Sequence, residues 1–347
     1  APEVKLAATR AAAKLGDASS VNILAATLKT DDETAQAAVE SLRELQGSGV
    51  VEELTKCAGT GEPAVKAGML RVLSEREEVA ALPAMFKATE DQDGNVRAAA
   101  IKGLGLLAGQ QDLPRMVDAL IAQKDGGERN RLEQAIATAA LRIPSADERS
   151  AAAIQGLAKA DDAAKCNLLG ALSRIGGGKA LEAVKPFLAN PNADVKKAAV
   201  RSLSEWADTA PMADVLNLAK TETQESHKIM ALRGYIRMTD QDKGKPAKER
   251  VERFRQALEL ASRPEEKRAA LSGLDDIGSI ESLKVVEGYI NDEKVKNEAL
   301  SAYAKIADKI GNSRKEESRA ALQKVIETAK DQGLINRAKE SLEKIGK

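Results

Sequence analysis

The sequence predicts an all-α solenoid, and three observations carry that prediction. Apolar landmarks return at a nearly fixed interval: Leu42, Leu73 and Leu104 stand 31 residues apart, and Leu172, Leu203 and Tyr235 follow at 31 and 32. Each landmark closes a similar phrase, Ala67-Gly68-Met69-Leu70-Arg71-Val72-Leu73, Ala99-Ala100-Ile101-Lys102-Gly103-Leu104 or Ala198-Ala199-Val200-Arg201-Ser202-Leu203. The apolar residues are mostly Ala, Leu, Val and Ile, with 2% aromatic, which suits thin layers packed on their neighbours better than one thick core. A repeat of this length is one helix pair, unable to bury its apolar face alone. The 347 residues accommodate about ten or eleven such pairs in a right-handed superhelix, a single array over 1–347 with a partial first and last repeat.

The clearest helix runs from Asp194 to Asp208, where Val195, Ala198, Ala199, Ser202, Leu203 and Trp206 form an i, i+3, i+4, i+7 stripe. Asn192 or Asp194 caps its start, because a short side-chain oxygen accepts from the unpaired first-turn amides. A break near Pro211 separates it from a second helix over Met212–Ala219. The same order, motif helix then second helix, appears in Asn95–Ala108 with Leu113–Ala122 and in Ala163–Ile175 with Ala180–Leu188. Between Asp125 and Ala160 the repeat aligns poorly, and Arg142-Ile143-Pro144 ends a helix, since proline cannot continue it. Small residues precede the closing apolar one at Ser41, Gly103, Ala171, Ser202, Gly234, Gly273, Ala302 and Ser341, with Val72 the exception. Glycine costs a helix interior about 1 kcal/mol relative to alanine, so the column requires close approach of paired helices. The polar segment 238–247 is longer than the other connections and is expected to be a loop insertion.

Two phrases, Asp93-Gly94-Asn95-Val96-Arg97 and Asn192-Ala193-Asp194-Val195-Lys196, each followed by Ala and then Leu, resemble the HEAT-like repeat family, with Gly176 and Gly278 at its closing glycine position. Lys165-Cys166-Asn167-Leu168-Leu169, Arg174-Ile175-Gly176-Gly177 and Ala231-Leu232-Arg233-Gly234-Tyr235-Ile236-Arg237 further resemble the HEAT-repeat segment of large secreted multidomain proteins of planctomycete-type bacteria. That resemblance implies an extracytoplasmic location, a place beside sugar-acting or haem-binding modules, and no catalytic residue to carry over. The chain opens Ala1-Pro2-Glu3 without methionine, already in a helical phrase, and is expected to come from a longer protein.

Charge and composition narrow the chemistry. Lys and Arg number 53 and Asp and Glu 53, and 31–90 holds twelve acidic residues against six basic ones, so no general field draws the chain to nucleic acid. No apolar run approaches the roughly 18 residues of a membrane span. Cys57 and Cys166 lie several repeats apart, too far for a disulfide, and are expected to be two buried thiols. With His227 the single histidine, on the core-facing edge in the place of Val96 and Val195, neither a zinc site nor a Cys–His nucleophile assembles. Asp91-Gln92-Asp93-Gly94-Asn95 resembles a calcium loop, but its glycine comes early and Lys102 stands where the bidentate glutamate belongs, so a turn and helix cap are expected. Gly176-Gly177-Gly178-Lys179 resembles the tail of a phosphate loop without the preceding strand, and is expected to be an interhelix turn.

The expected function is therefore non-catalytic scaffolding, holding a protein partner or a neighbouring domain of the same polypeptide, with no cofactor, no metal and no membrane insertion. Alternatives are a HEAT-like DNA glycosylase, for which Trp206 and Asp208 offer an outline, and a cofactor-handling module like the phycobilin lyases. Two residues before the closing apolar position, Arg71, Lys102, Arg201 and Arg233 fall on the solvent side of their helices. Arg201 and Arg233 occupy equivalent places in adjacent repeats, Arg237 follows four residues on, and Lys243 and Lys245 sit in the segment beyond. These five are the candidate partner-binding residues, suited to an acidic partner. The acidic stretch 31–90 is a possible counterpart for self-association.

Overall fold

The computed structural model describes residues 2–29 and 33–346, and among them there is no strand. The helices of the first part are α1 (Pro2–Leu15), α2 (Ala18–Thr27), α3 (Glu33–Glu44), α4 (Val50–Thr60), α5 (Pro63–Glu75), α6 (Leu82–Ala88) and α7 (Gly94–Leu107). There follow α8 (Leu113–Ala122), α9 (Gly126–Leu141), α10 (Ala146–Leu157), α11 (Asp162–Ile175), α12 (Gly178–Val184) and α13 (Ala193–Ser204). The remainder is α14 (Met212–Thr221), α15 (Glu225–Gln241), α16 (Ala247–Leu260), α17 (Pro264–Asp275), α18 (Ile280–Glu287), α19 (Lys296–Ile310), α20 (Lys315–Thr328) and α21 (Gln332–Gly346). The protein is an all-α solenoid, in two compact units, Ala1–Ala199 and Val200–Lys347.

Within each unit the helices form two layers. In the first unit α1, α3, α5, α7, α9 and α11 stack in succession, while α2 packs on α4, α4 on α6, α8 on α10 and α10 on α12. In the second unit α15, α17, α19 and α21 make the odd-numbered layer, and α16 packs on α18 in the other. The phase of pairing differs from the sequence expectation. A motif helix was expected to pair with the helix after it, yet α8 packs on α9, α10 more closely on α11 than α12 does, and α14 on α15. Through α17 the closer pair is the second helix with the motif helix that follows, whereas α19 packs more closely on α20, which follows it, than on α18.

The motif helices start where short polar side chains can cap them. Asp93 accepts from the amides of Asn95 and Val96, Asp125 from Glu128, and Asp161 from Ala164. Asn192 accepts from Asp194 and Val195, so it is Asn192 and not Asp194 that caps α13. Their stripes are buried: Val195, Ala199, Leu203 and Trp206 are fully enclosed. The small-residue column does mark close approach, though at Gly234 the neighbour is the preceding motif helix rather than the paired one. A methyl group at Gly234 would lie 2.7 Å from the Ser204 Cα and carbonyl oxygen, and one at Gly103 would lie 2.8 Å from the Met85 sulfur. Both are closer than van der Waals contact permits, so only glycine lets these helices approach. Gly176 closes α11 at φ +70, a left-handed conformation that favours glycine, and with Gly177 it makes the expected interhelix turn.

Candidate interaction surface

The odd-numbered layer exposes the charged positions that the sequence singled out. Arg71, Lys102, Arg201 and Arg233 are all exposed, as their helical register predicts. Much of the surrounding charge is used between successive helices of the same layer. In the first unit Asn22 donates to Glu53 at 2.7 Å, Lys29 to Glu62 at 2.6 Å, Arg97 to Glu128 at 3.2 Å and Asn192 to Asp162 at 2.8 Å. The second unit repeats this with Arg233 to Glu266 at 2.8 Å, Lys305 to Asp275 at 2.7 Å and Lys324 to Glu287 at 2.8 Å. These partners lie 30 to 37 residues apart, one repeat on.

A second set of cations closes helix C-termini, whose last carbonyls have no partner within the helix. Arg76 donates to the carbonyls of Leu42, Arg43 and Leu45 at the end of α3. Arg142 donates to Gly105 and Ala108 at the end of α7. Arg237 donates to Ser204 at 3.0 Å and Trp206 at 2.9 Å, and Lys309 to Asp275 at 2.7 Å. This reassigns Arg237. It is half-buried, its guanidinium is bound to backbone and to Gln241, and burial pulls it below the ordinary arginine value. It holds α15 to the end of α13 and does not present a free charge.

The other four second-unit candidates stay at the surface, with different freedom. Arg233 is 57% exposed although its Nε is tied to Glu266, itself 1% exposed. Lys243 lies 3.7 Å from Asp276. Arg201 and Lys245 are exposed and have no ion-pair partner among the described residues. Half of the expected loop insertion is helix. Helix α15 continues through Met238, Thr239 and Asp240 to Gln241, with the Thr239 hydroxyl donating to the Tyr235 carbonyl, so only 242–246 link it to α16. A cleft of about 530 Å³ over α15, α17 and α19 gathers Arg233, Arg237 and Lys305 with Asp240, Asp275 and Asp276. Its three cations face three carboxylates, so it is electrically balanced.

The remaining sequence candidates resolve into structural roles. Asp91 accepts from Lys66 at 2.9 Å and from the Asp93 amide, completing a turn and cap. His227 is buried more fully than the half-buried place expected for it, with Nδ1 3.4 Å from Glu222. Cys57 is buried and donates to Asn22, burial pushing its thiol up, whereas Cys166 is half-exposed rather than buried; neither is in a disulfide. No group of three His, Cys, Asp or Glu side chains suited to a metal occurs among the described residues. No helix among the described residues is long and apolar enough to cross a membrane. Trp206 is fully buried and offers no face on which a base could stack, while Asp208 accepts from the Ala210 amide. Asp31, where the acidic stretch begins, lies outside the described residues.

Residues 51–137 match the family model described as HEAT repeats. The matched stretch covers α4 to most of α9. No curated protein sequence matches the chain. Among solved structures, Kap95p in a structure with RanGDP is similar at TM-score 0.54 and 12% identity, over 94% of this chain and 51% of that one. Kap121p bound to RanGTP is similar at TM-score 0.53 and 13% identity, over 93% of this chain and 41% of that one. The chain thus spans about half or less of the length of these two proteins of similar fold.

Proposed function

We propose that the protein is a non-catalytic HEAT-repeat scaffold, holding a protein partner or a neighbouring domain on the exposed side of its odd-numbered helix layer. The observation that carries this reading is the build of that layer. Its inner side is tied, repeat to repeat, by buried apolar stripes and cation-to-carbonyl caps, while its outer side carries open clefts lined by charged and small residues. Such a surface offers side chains to a macromolecule without enclosing a small substrate. Kap95p and Kap121p, which share the fold, are each seen with a Ran protein, and this supports the same use here. In the second unit Arg201, Arg233, Lys243 and Lys245 are the exposed cations available to a partner, with Arg237 positioning the layer beneath them.

The phrases shared with secreted planctomycete-type proteins support a place in a larger extracytoplasmic polypeptide. Affinity capture with chemical cross-linking, from extract of the source organism, tests the scaffold reading. A partner cross-linked to α13, α15 or another odd-numbered helix is the expected result. Recovery of no partner above control, or turnover of a substrate by the purified chain, overturns it. Cell fractionation tests the location, and a purely cytosolic chain removes that part of the proposal.

A further inference from the structure

Two adjoining clefts open on the exposed side of α5, α7 and α9 in the first unit. One of about 600 Å³ is lined by Ala67, Arg71 and Glu75 of α5 with Ala98, Lys102 and Leu106 of α7. The next, about 460 Å³, takes the same Ala98, Lys102 and Leu106 together with Arg131, Ala135 and Thr138 of α9. Their shared wall is one face of α7, because its residues recur every four positions. Leu106 is 45% exposed there, a large apolar side chain left in water beside two cations.

The charge differs from that of the balanced second-unit cleft. Three cations line the pair of clefts and Glu75 is the one carboxylate. Arg131 leans on Glu128 at 3.1 Å, but Arg71 and Lys102 have no ion-pair partner among the described residues. Elsewhere such cations are neutralised by a carboxylate on the next helix of the same layer, as Arg97 and Arg233 show.

Resting on the scaffold reading, we infer that these clefts bind an acidic peptide segment in polyproline II conformation, lying across α5, α7 and α9 with a carboxylate at every third residue. The spacing selects this form. Packed helices stand about 8–10 Å apart, so Arg71, Lys102 and Arg131 form rungs at that interval. A polyproline II chain has three residues per turn and rises about 3.1 Å per residue, which returns a side chain to the same face every ~9 Å. An extended β-strand would turn every third side chain away. Between the carboxylates, a proline ring or a small apolar side chain meets Leu106 and the alanine floor.

Fluorescence polarisation of a labelled nonapeptide of three Glu-Pro-Ala triplets, at low ionic strength, tests the inference. An isomer with its three glutamates adjacent serves as comparison. The triplet peptide is expected to bind at least about fivefold tighter than the isomer, to weaken about tenfold with Lys102→Glu or in 0.5 M salt, and to be indifferent to Lys330→Glu, an exposed lysine of the other unit. Lys102→Met, which keeps the aliphatic stem, serves if the reversal disturbs folding, and it should weaken binding in the same direction. Equal binding of the two peptides, no binding of either, or full binding by a folded Lys102 variant overturns the proposal. Cross-linking separates it from the scaffold reading: a natural partner retained by Lys102→Glu sinks the acidic-peptide site alone, and no partner for the native chain sinks the scaffold.

Discussion

At the residue scale, like side chains do unlike work according to what lies one repeat earlier. Arg201, Arg233 and Arg237 are three arginines on two successive motif helices, yet one is free, one is tied to a buried carboxylate and one caps the end of α13. Arg237→Ala removes the donor from two part-buried carbonyls, which costs about 1–3 kcal/mol. Arg201→Ala touches no such feature and should stay within about 0.5 kcal/mol of native. Urea denaturation of the two variants checks the contrast; equal midpoints would show that water satisfies those carbonyls. Gly234→Ala should also destabilise, by about 1–3 kcal/mol, because the new methyl would press on Ser204 backbone that cannot turn aside. A native melting temperature for that variant would mean that α13 and α15 shift apart at little cost. The glycine was legible in the sequence, since its recurrence in a column requires a packing reason. The role of Arg237 was not, because an i, i+4 relation to Arg233 describes a helical face and says nothing of a carbonyl 31 to 33 residues earlier.

Helices as elements were legible from their apolar stripes, caps and breakers, and Asn192, Asp93 and Pro144 all act as their chemistry predicts. The phase of pairing was not legible. A 31-residue period places a motif helix between two second helices and is the same whichever one it packs on. The end of α15 was hidden for a related reason. Thr239, Asp240 and Gln241 look like loop by polarity, but Thr239 is fully buried and bonds back to its own helix, and no breaker comes before Gly244. One element-level device recurs in both units. Helices α5 and α17 each begin with proline and carry a lysine three residues on, and Lys66 and Lys267 reach Asp91 and Asp292 in the turns before α7 and α19, both at 2.9 Å. The lysine ammonium, with a turn amide, holds each carboxyl below the ordinary carboxylate range. A carboxyl with a folded value below its unfolded value stabilises the fold above the unfolded value, about 4, and loses that contribution as pH falls through the folded value. The melting temperature should therefore drop between about pH 4 and pH 2. Asp91→Asn with Asp292→Asn should lower it at pH 7 and flatten that acid limb. An acid limb unchanged in the double variant would assign the loss to other carboxylates.

Over the whole molecule, the equality of 53 basic and 53 acidic residues is the sum of local pairings rather than an absence of electrostatics. Cations of one repeat face carboxylates of the next, so charge is spent within the stack and surfaces with a surplus, such as that over α5, α7 and α9, stand out against it. Arrays of this kind are close to one-dimensional: a layer meets its neighbours, and stability is nearly a sum of repeat and interface contributions. A local lesson should then stay local. Arg237 bridges the end of α13 to α15, and α14 and α16 pack on α15. Arg237→Ala should accelerate amide exchange in α14, α15 and α16 while leaving α5 and α7, deep in the other compact unit, at native protection. Hydrogen exchange read by mass spectrometry on peptides from these helices provides the measurement. Equal acceleration along the entire chain would mean that the two units open as one cooperative block, and that a partner held on either unit would stabilise both.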